Sequence, residues 1–207
     1  LEPEPEAEPS LSGKGLFADA YIWLIFVMYI CFALGSYFID NIFYAQVETQ
    51  YPNADQIASF LGAFGGVVGA FSLFSQLFIA PRLLSRYGVR IAILLTPVSL
   101  LIGVMLFTLI GTFSHLLILL FWLAVCVNLT LQVMDASDNT AANLLYQPLP
   151  AALRTHTQTT VDGIIAPVTV GLTGLLLLGL TNFLHLDSLH LAYVLLPILA
   201  GWALVAS

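Results

Sequence analysis

The sequence predicts an all-α integral membrane protein, with six transmembrane helices forming one bundle. Three observations carry that prediction. First, 59% of the 207 residues are apolar and only 8% are charged, against about 45–50% and about 25% in an ordinary soluble domain. Second, the apolar residues fall into six long runs, each near or above the ~18 residues of a membrane span. Third, with six spans all five basic residues fall on one side. Mean hydropathy is +0.97. So few charges cannot coat a water-facing surface, which excludes a soluble enzyme and a nucleic-acid binder.

Residues 1–15 are rich in Pro, Glu, Ser and Gly and read as a disordered acidic linker or tail. Four of the twelve acids stand in LEPEPEAE, so the net charge of −7 belongs largely to this segment. Residues 16–207 form the predicted bundle, with spans at about 17–46, 56–81, 88–112, 114–136, 158–182 and 187–207. No period-2 alternation of the membrane-barrel kind runs through them. YPNAD (51–55) has turn chemistry, RLLSRYGVR (82–90) reads as a tight basic loop, and Gly111 to Ser114 as a minimal turn. The one long connection, about 137–157, has an apolar stretch suited to the membrane interface. Lys14, Arg82, Arg86, Arg90 and Arg154 all lie on the side of the N-terminus, called side A below. The positive-inside rule makes side A cytoplasmic, or stromal in an organelle of bacterial ancestry. A chain starting in a Glu/Pro tract and stopping in an apolar run is expected to be part of a longer polypeptide.

The second span carries Gly62, Gly65, Gly66 and Gly69, two small-xxx-small pairs. Such a face lets helix backbones approach closely in lipid, either as a fixed packing face or as one that slides during transport. Pro97, Pro167 and Pro197 sit inside spans three, five and six and are expected to kink them. Acids at depth are the sharper signal, because an ionisable group in lipid faces a cavity or a partner. Asp40 with Asn41 near the end of span one, Asp135 at the end of span four and Asp162 at the start of span five are candidates for a substrate or coupling-ion cavity. Asp138 with Asn139 reads as a solvated helix end. FIDN (38–41) and ASDN (136–139) share an Asp-Asn pair at helices that are equivalent in a 3+3 inverted repeat, with chance recurrence the alternative reading.

No nucleophile motif, Gly-rich phosphate loop or CxxC is present, and an enzyme is not expected. The histidines, His115, His156, His185 and His190, have no metal-ligand spacing; they read as span-end residues, with axial pigment ligation by His115 or His190 the alternative. Cys31 and Cys126 read as buried inert thiols. No metal and no cofactor are predicted.

PRLLSRYGVR (81–90) resembles the loop between the second and third helices of a six-helix half in the major facilitator superfamily. Arg86, Gly88 and Arg90 match that motif, while Pro81 and Ser85 depart from it. Residues 37–97 and 144–177 resemble the nucleotide-transporter branch, the bacterial and plastid ATP/ADP carriers and their relatives. Tyr146, Pro148, Arg154, Gln158, Asp162, Pro167 and Gly171 occupy places in that branch's pattern. The resemblance implies a half-transporter working by alternating access, with Arg86, Gly88 and Arg90 as a cytoplasmic gate loop. It also implies a second six-helix half as partner and a nucleotide or other small solute as substrate. A bacterial inner membrane or a thylakoid or plastid membrane follows as location. No Lys or Arg lies well inside the predicted spans to meet phosphate charges. A non-transporting scaffold subunit on the same fold is therefore the alternative reading.

Overall fold

The computed structural model describes residues 20–113, 116–145, 147 and 149–206, and at 20, 89, 136–145, 151 and 152 the backbone alone. The expected linker 1–15, with Lys14, His115, Tyr146 and Pro148, lies outside the described residues, as do the side chains of Asp138 and Asn139. Six helices are long and apolar enough to cross a membrane. They are α1 (Ala20–Gln50), α2 (Ala54–Gly88), α3 (Arg90–Phe113), α4 (Leu117–Leu145), α5 (Leu153–Phe183, with a first helical turn from Ala151) and α6 (Ser188–Ala206). Helix is the form these runs must take, because lipid offers no partner for an unpaired backbone N–H or C=O.

The helices repeat. The second and third helices of the first triplet begin at 54 and 90 and those of the second at 151 and 188, offsets of 97 and 98. Three crossings are an odd number, so the second triplet traverses in the opposite sense to the first. Packing follows the same exchange: α1 packs on α6 as α4 packs on α3, and α2 leans on α4 as α5 leans on α1. The pairs α1–α4 and α3–α6 map onto themselves. Even the small clusters correspond. Phe60 and Phe64 of α2 pack around Phe121 near the start of α4. Val161 of α5 packs on Ile22 and Phe26 near the start of α1.

The main core lies among α1, α3, α4 and α6, with Phe38, Leu100, Leu195 and Leu199 fully enclosed. Lipid tails are as apolar as leucine, so close van der Waals fit holds these helices together. The glycines that permit it are not those of the second span. A Cβ at Gly62, Gly65, Gly66 or Gly69 would meet nothing within 4 Å, and Ala54–Phe74 holds no buried residue. That face packs on no described helix of this chain, contrary to the fixed-packing reading. Close approach is instead made at Gly103, where a Cβ would stand 2.6 Å from Val127 Cγ2, and at Gly111, 2.5 Å from Leu189 Cδ1. Gly35 meets Leu199 at 3.3 Å.

Two connections differ from expectation. The basic segment 82–90 is not a loop: α2 stays helical through Arg82, Arg86 and Tyr87, and the reversal is made at Gly88 (φ 80°, ψ 171°). Only glycine takes that φ without penalty, and arginines suit the C-terminal turns of a helix dipole. The long connection shrinks likewise. Helix α4 continues to Leu145 and helix resumes at Ala151 after Pro150, whose carbonyl accepts from Arg154 N at 2.9 Å. Proline lacks the N–H that would carry α4 onward.

The Gly103 and Gly111 contacts separate in a mutational test. Val127 is β-branched and stiff in a helix, whereas Leu189 can swing its terminal methyl aside. Gly103→Ala should cost about 1–3 kcal/mol and Gly111→Ala measurably less. Thermal unfolding of the purified protein in detergent reads both; equal losses would show that the α3–α4 contact is not the tighter one.

Candidate functional site

Helix α1 is not uniformly apolar. Tyr29, Tyr37, Asp40 and Tyr44 recur at 8, 3 and 4 residues, close to whole turns of 3.6, and so form one stripe. On α4, Asn128 and Asp135 are seven residues apart, two turns on one face. The packing of α1 against α4 joins the two stripes. Asn128, 2% exposed, donates from Nδ2 to Asp40 Oδ1 at 2.7 Å. Asp40 lies ten residues before the end of α1, about 15 Å along the helix axis. The bond therefore stands well within the span, where an unsatisfied carboxylate would be costly.

Other carboxylates gather about the same seam. Asp40 is within electrostatic reach of Asp135. Tyr29 is within reach of Asp162, Tyr37 and Asp135. Of the acids singled out from sequence, Asp40 is joined to α4 through Asn128, Asp135 is partly buried on α4 and Asp162 is exposed on α5. Asn41 is partly buried on α1, beside Asp40 in sequence. Behind the seam a small cavity is lined by Ile39, Ile42, Val104, Phe107, Ala124, Val127 and Ala192. Its wholly apolar wall makes it a packing gap and not a solute site.

Helix α5 is built to bend. Asp162 is exposed within a widened π segment, Val161–Ile165. Pro167 follows, and its ring would press on the carbonyl four residues back, that of Gly163. The widened turn takes up that conflict. A second π segment, Gly179–Phe183, ends the helix. Thr157 and Thr173 are buried and return their hydroxyls to the carbonyls of Leu153 and Thr169, each at 2.7 Å. Such back-bonding bends helices. Helix α2 carries the third π segment, Ser75–Ile79.

Of the remaining residues marked from sequence, Arg86, Arg90 and Arg154 are exposed and Gly88 makes the α2–α3 break. Gln158 is partly buried, while Pro167 and Gly171 are exposed on α5. None of these joins the Asp40–Asn128 seam in a described contact. Sequence reasoning missed Asn128 and the tyrosines. A lone Asn in LAVCVNLTLQV was the available signal, since an amide at that depth needs a partner. Among the described residues, no three His, Cys, Asp or Glu side chains converge as a metal site.

The fold thus defines an integral membrane protein made of two inverted three-helix repeats around a polar α1–α4 seam. The chain belongs to the TLC ATP/ADP transporter family, which matches residues 7–207. That is a family of carriers and not of enzymes. The chain is 27% identical over 113 residues to ADP,ATP carrier protein 1 of Chlamydia muridarum, covering 54% of this chain and 21% of that protein. It is 28% identical over 109 residues to ADP,ATP carrier protein 1 of Chlamydia pneumoniae, covering 50% and 21%. The match therefore spans about a fifth of these curated relatives' length. No solved structure matches the chain.

The seam bond can be tested alone. Asn128→Leu leaves the Asp40 carboxylate without its amide and should cost about 1–3 kcal/mol. Exchanging the partners, Asp40→Asn with Asn128→Asp, should recover most of that loss. A double-mutant cycle by thermal unfolding measures it; zero coupling energy would show that the bond contributes nothing to the fold.

Proposed function

We propose that this chain is one six-helix bundle of a membrane carrier that exchanges nucleotides by alternating access. The observation that carries the reading is the family match, which runs over nearly the whole chain. The geometry supports it with a polar seam at depth and with α5, a helix weakened by Pro167 and two π segments beside that seam. Transport sites are formed where helices are interrupted near the midplane of inverted repeats.

In this reading a second six-helix bundle completes the carrier. The open glycine face of α2 supports that partner, since it is smooth, apolar and unused within the described chain. The acids of the seam, Asp40, Asp135 and Asp162, together with Asn41, face the path between the bundles. They suit a proton or metal cation that moves with the substrate, while phosphate charges call for cations from the partner bundle or the rim. The α2–α3 reversal with Arg86, Gly88 and Arg90 acts as the side A gate. Side A is the cytoplasmic or stromal side, in a bacterial inner membrane or an organelle membrane of bacterial descent.

Uptake by the full-length protein in liposomes tests the proposal. Labelled ATP should enter with saturation, and faster from vesicles loaded with ADP. Asp40→Asn should lower exchange at least tenfold while the protein still purifies folded. A folded protein that moves neither ATP nor ADP would overturn the proposal.

A further inference from the structure

Three of the four described basic residues, Arg82, Arg86 and Arg90, fall within nine positions at the side A end of α2 and the start of α3, and all are exposed. No acid occurs between Asp55 and Asp135 in the sequence. Among the described residues none of these arginines lies at ion-pair distance from a carboxylate. Because α2 remains helical through Tyr87, Arg82 and Arg86 stand four apart on one helical face, their Cβ atoms about 5–6 Å apart. Like charges so placed oppose the helix. Among the described residues no counter-charge stands beside them.

Their side chains are also held. Arg82 donates from Nη1 to the Phe78 carbonyl at 3.0 Å, and its guanidinium lies 5.9 Å from the centre of the Phe78 ring. The guanidinium of Arg86 lies 5.7 Å from the centre of the Tyr87 ring. A ring lies beside each fork and a backbone acceptor holds that of Arg82, yet Arg82 spends only one of its five N–H donors on the protein. Two restrained guanidinium forks on one face match the oxygens of a doubly charged tetrahedral anion. Topology alone requires basic residues on side A; it does not require two of them on one helical face, each beside an aromatic ring.

We infer that Arg82, Arg86 and Arg90 form a phosphate-binding patch at the side A end of α2. Its ligand is a phosphate group, carried either by a soluble polyphosphate or by the headgroup of an anionic lipid. The patch is a rim site, apart from the acidic seam. It deepens the carrier reading by naming what the side A entrance collects, and phosphate binding is measured separately from transport.

The test uses the full-length protein in nanodiscs of phosphatidylcholine, titrated with inorganic pyrophosphate by calorimetry. A second arm measures retention of fluorescent phosphatidylglycerol by the same protein. The double variant Arg82→Gln with Arg86→Gln should weaken binding at least tenfold in one arm. Arg82→Lys with Arg86→Lys keeps the charge and should weaken it only a few-fold, which guards against a folding artefact. Loss in the pyrophosphate arm identifies a soluble phosphate; loss in the lipid arm identifies a headgroup. Binding unaffected by the double glutamine variant in both arms, or absent from the wild type in both, overturns the inference. Failed nucleotide uptake with pyrophosphate binding intact would overturn the carrier reading and leave the patch standing.

Discussion

The bundle depends on the crossing of α1 and α4, the first helices of its two repeats. Every other packed pair is reached from it: α6 and α5 lie against α1, and α3 and α2 against α4. In lipid this crossing cannot rest on the hydrophobic effect, because the unfolded alternative for an apolar face is a solvent equally apolar. Shape and polar contact must hold it. Shape comes from Phe38, Ile39 and Ile42 meeting Ala124, Val127 and Leu131 in one core. Polar contact comes from the Asn128 amide on the Asp40 carboxylate.

From that crossing the rest follows by repetition. Each triplet offers its third helix to the other's first helix, and the two third helices close on one another. Thr112 and Tyr193 share a hydrogen bond across that closure. Each second helix is left outside, touching the opposite triplet along one side. This explains why α2, with its glycines, buries so little. A bundle built this way has two flanking helices with free faces, and both carry π segments that loosen the helix. The same economy that makes a repeat of three helices stable leaves α2 and α5 with the fewest packed residues.

Much of this was legible in the sequence, for a physical reason. Span number and order depend on apolar run length, which lipid thickness fixes within a few residues. Asp40, Asp135 and Asp162 could be marked because a carboxylate at depth stands out from any apolar neighbour. What could not be read was pairing. Asn128 is 88 positions from Asp40, and only the fold brings them together. The glycines show the same limit: Gly62 to Gly69 have the spacing of a packing face, but spacing does not say which helix faces it, and none of the described ones does. Gly103 and Gly111 stand eight apart and match no small-xxx-small pair. The end of α2 was misjudged because Arg, Ser and Gly suggest a loop, whereas Gly88 by itself supplies the reversal.

The distribution of charge bears on what the bundle can carry. The described acids with described neighbours at the seam lie among α1, α4 and α5, whereas the arginines lie at the side A ends of α2, α3 and α5. A polyphosphate drawn toward side A therefore meets cations first and carboxylates deeper in. Between those zones a free anion would be repelled unless the carboxylates were neutralised or the opposite bundle supplied compensating charge. Coulomb repulsion between unit charges 4 Å apart is about 4 kcal/mol at an effective dielectric near 20, enough to hold a nucleotide at the rim by itself. A carrier with this bundle thus gains a condition for passage. In the proposed carrier the acids of the seam would bind a cation or meet one from the partner before phosphate passes them, which would tie the substrate's movement to that of a positive charge.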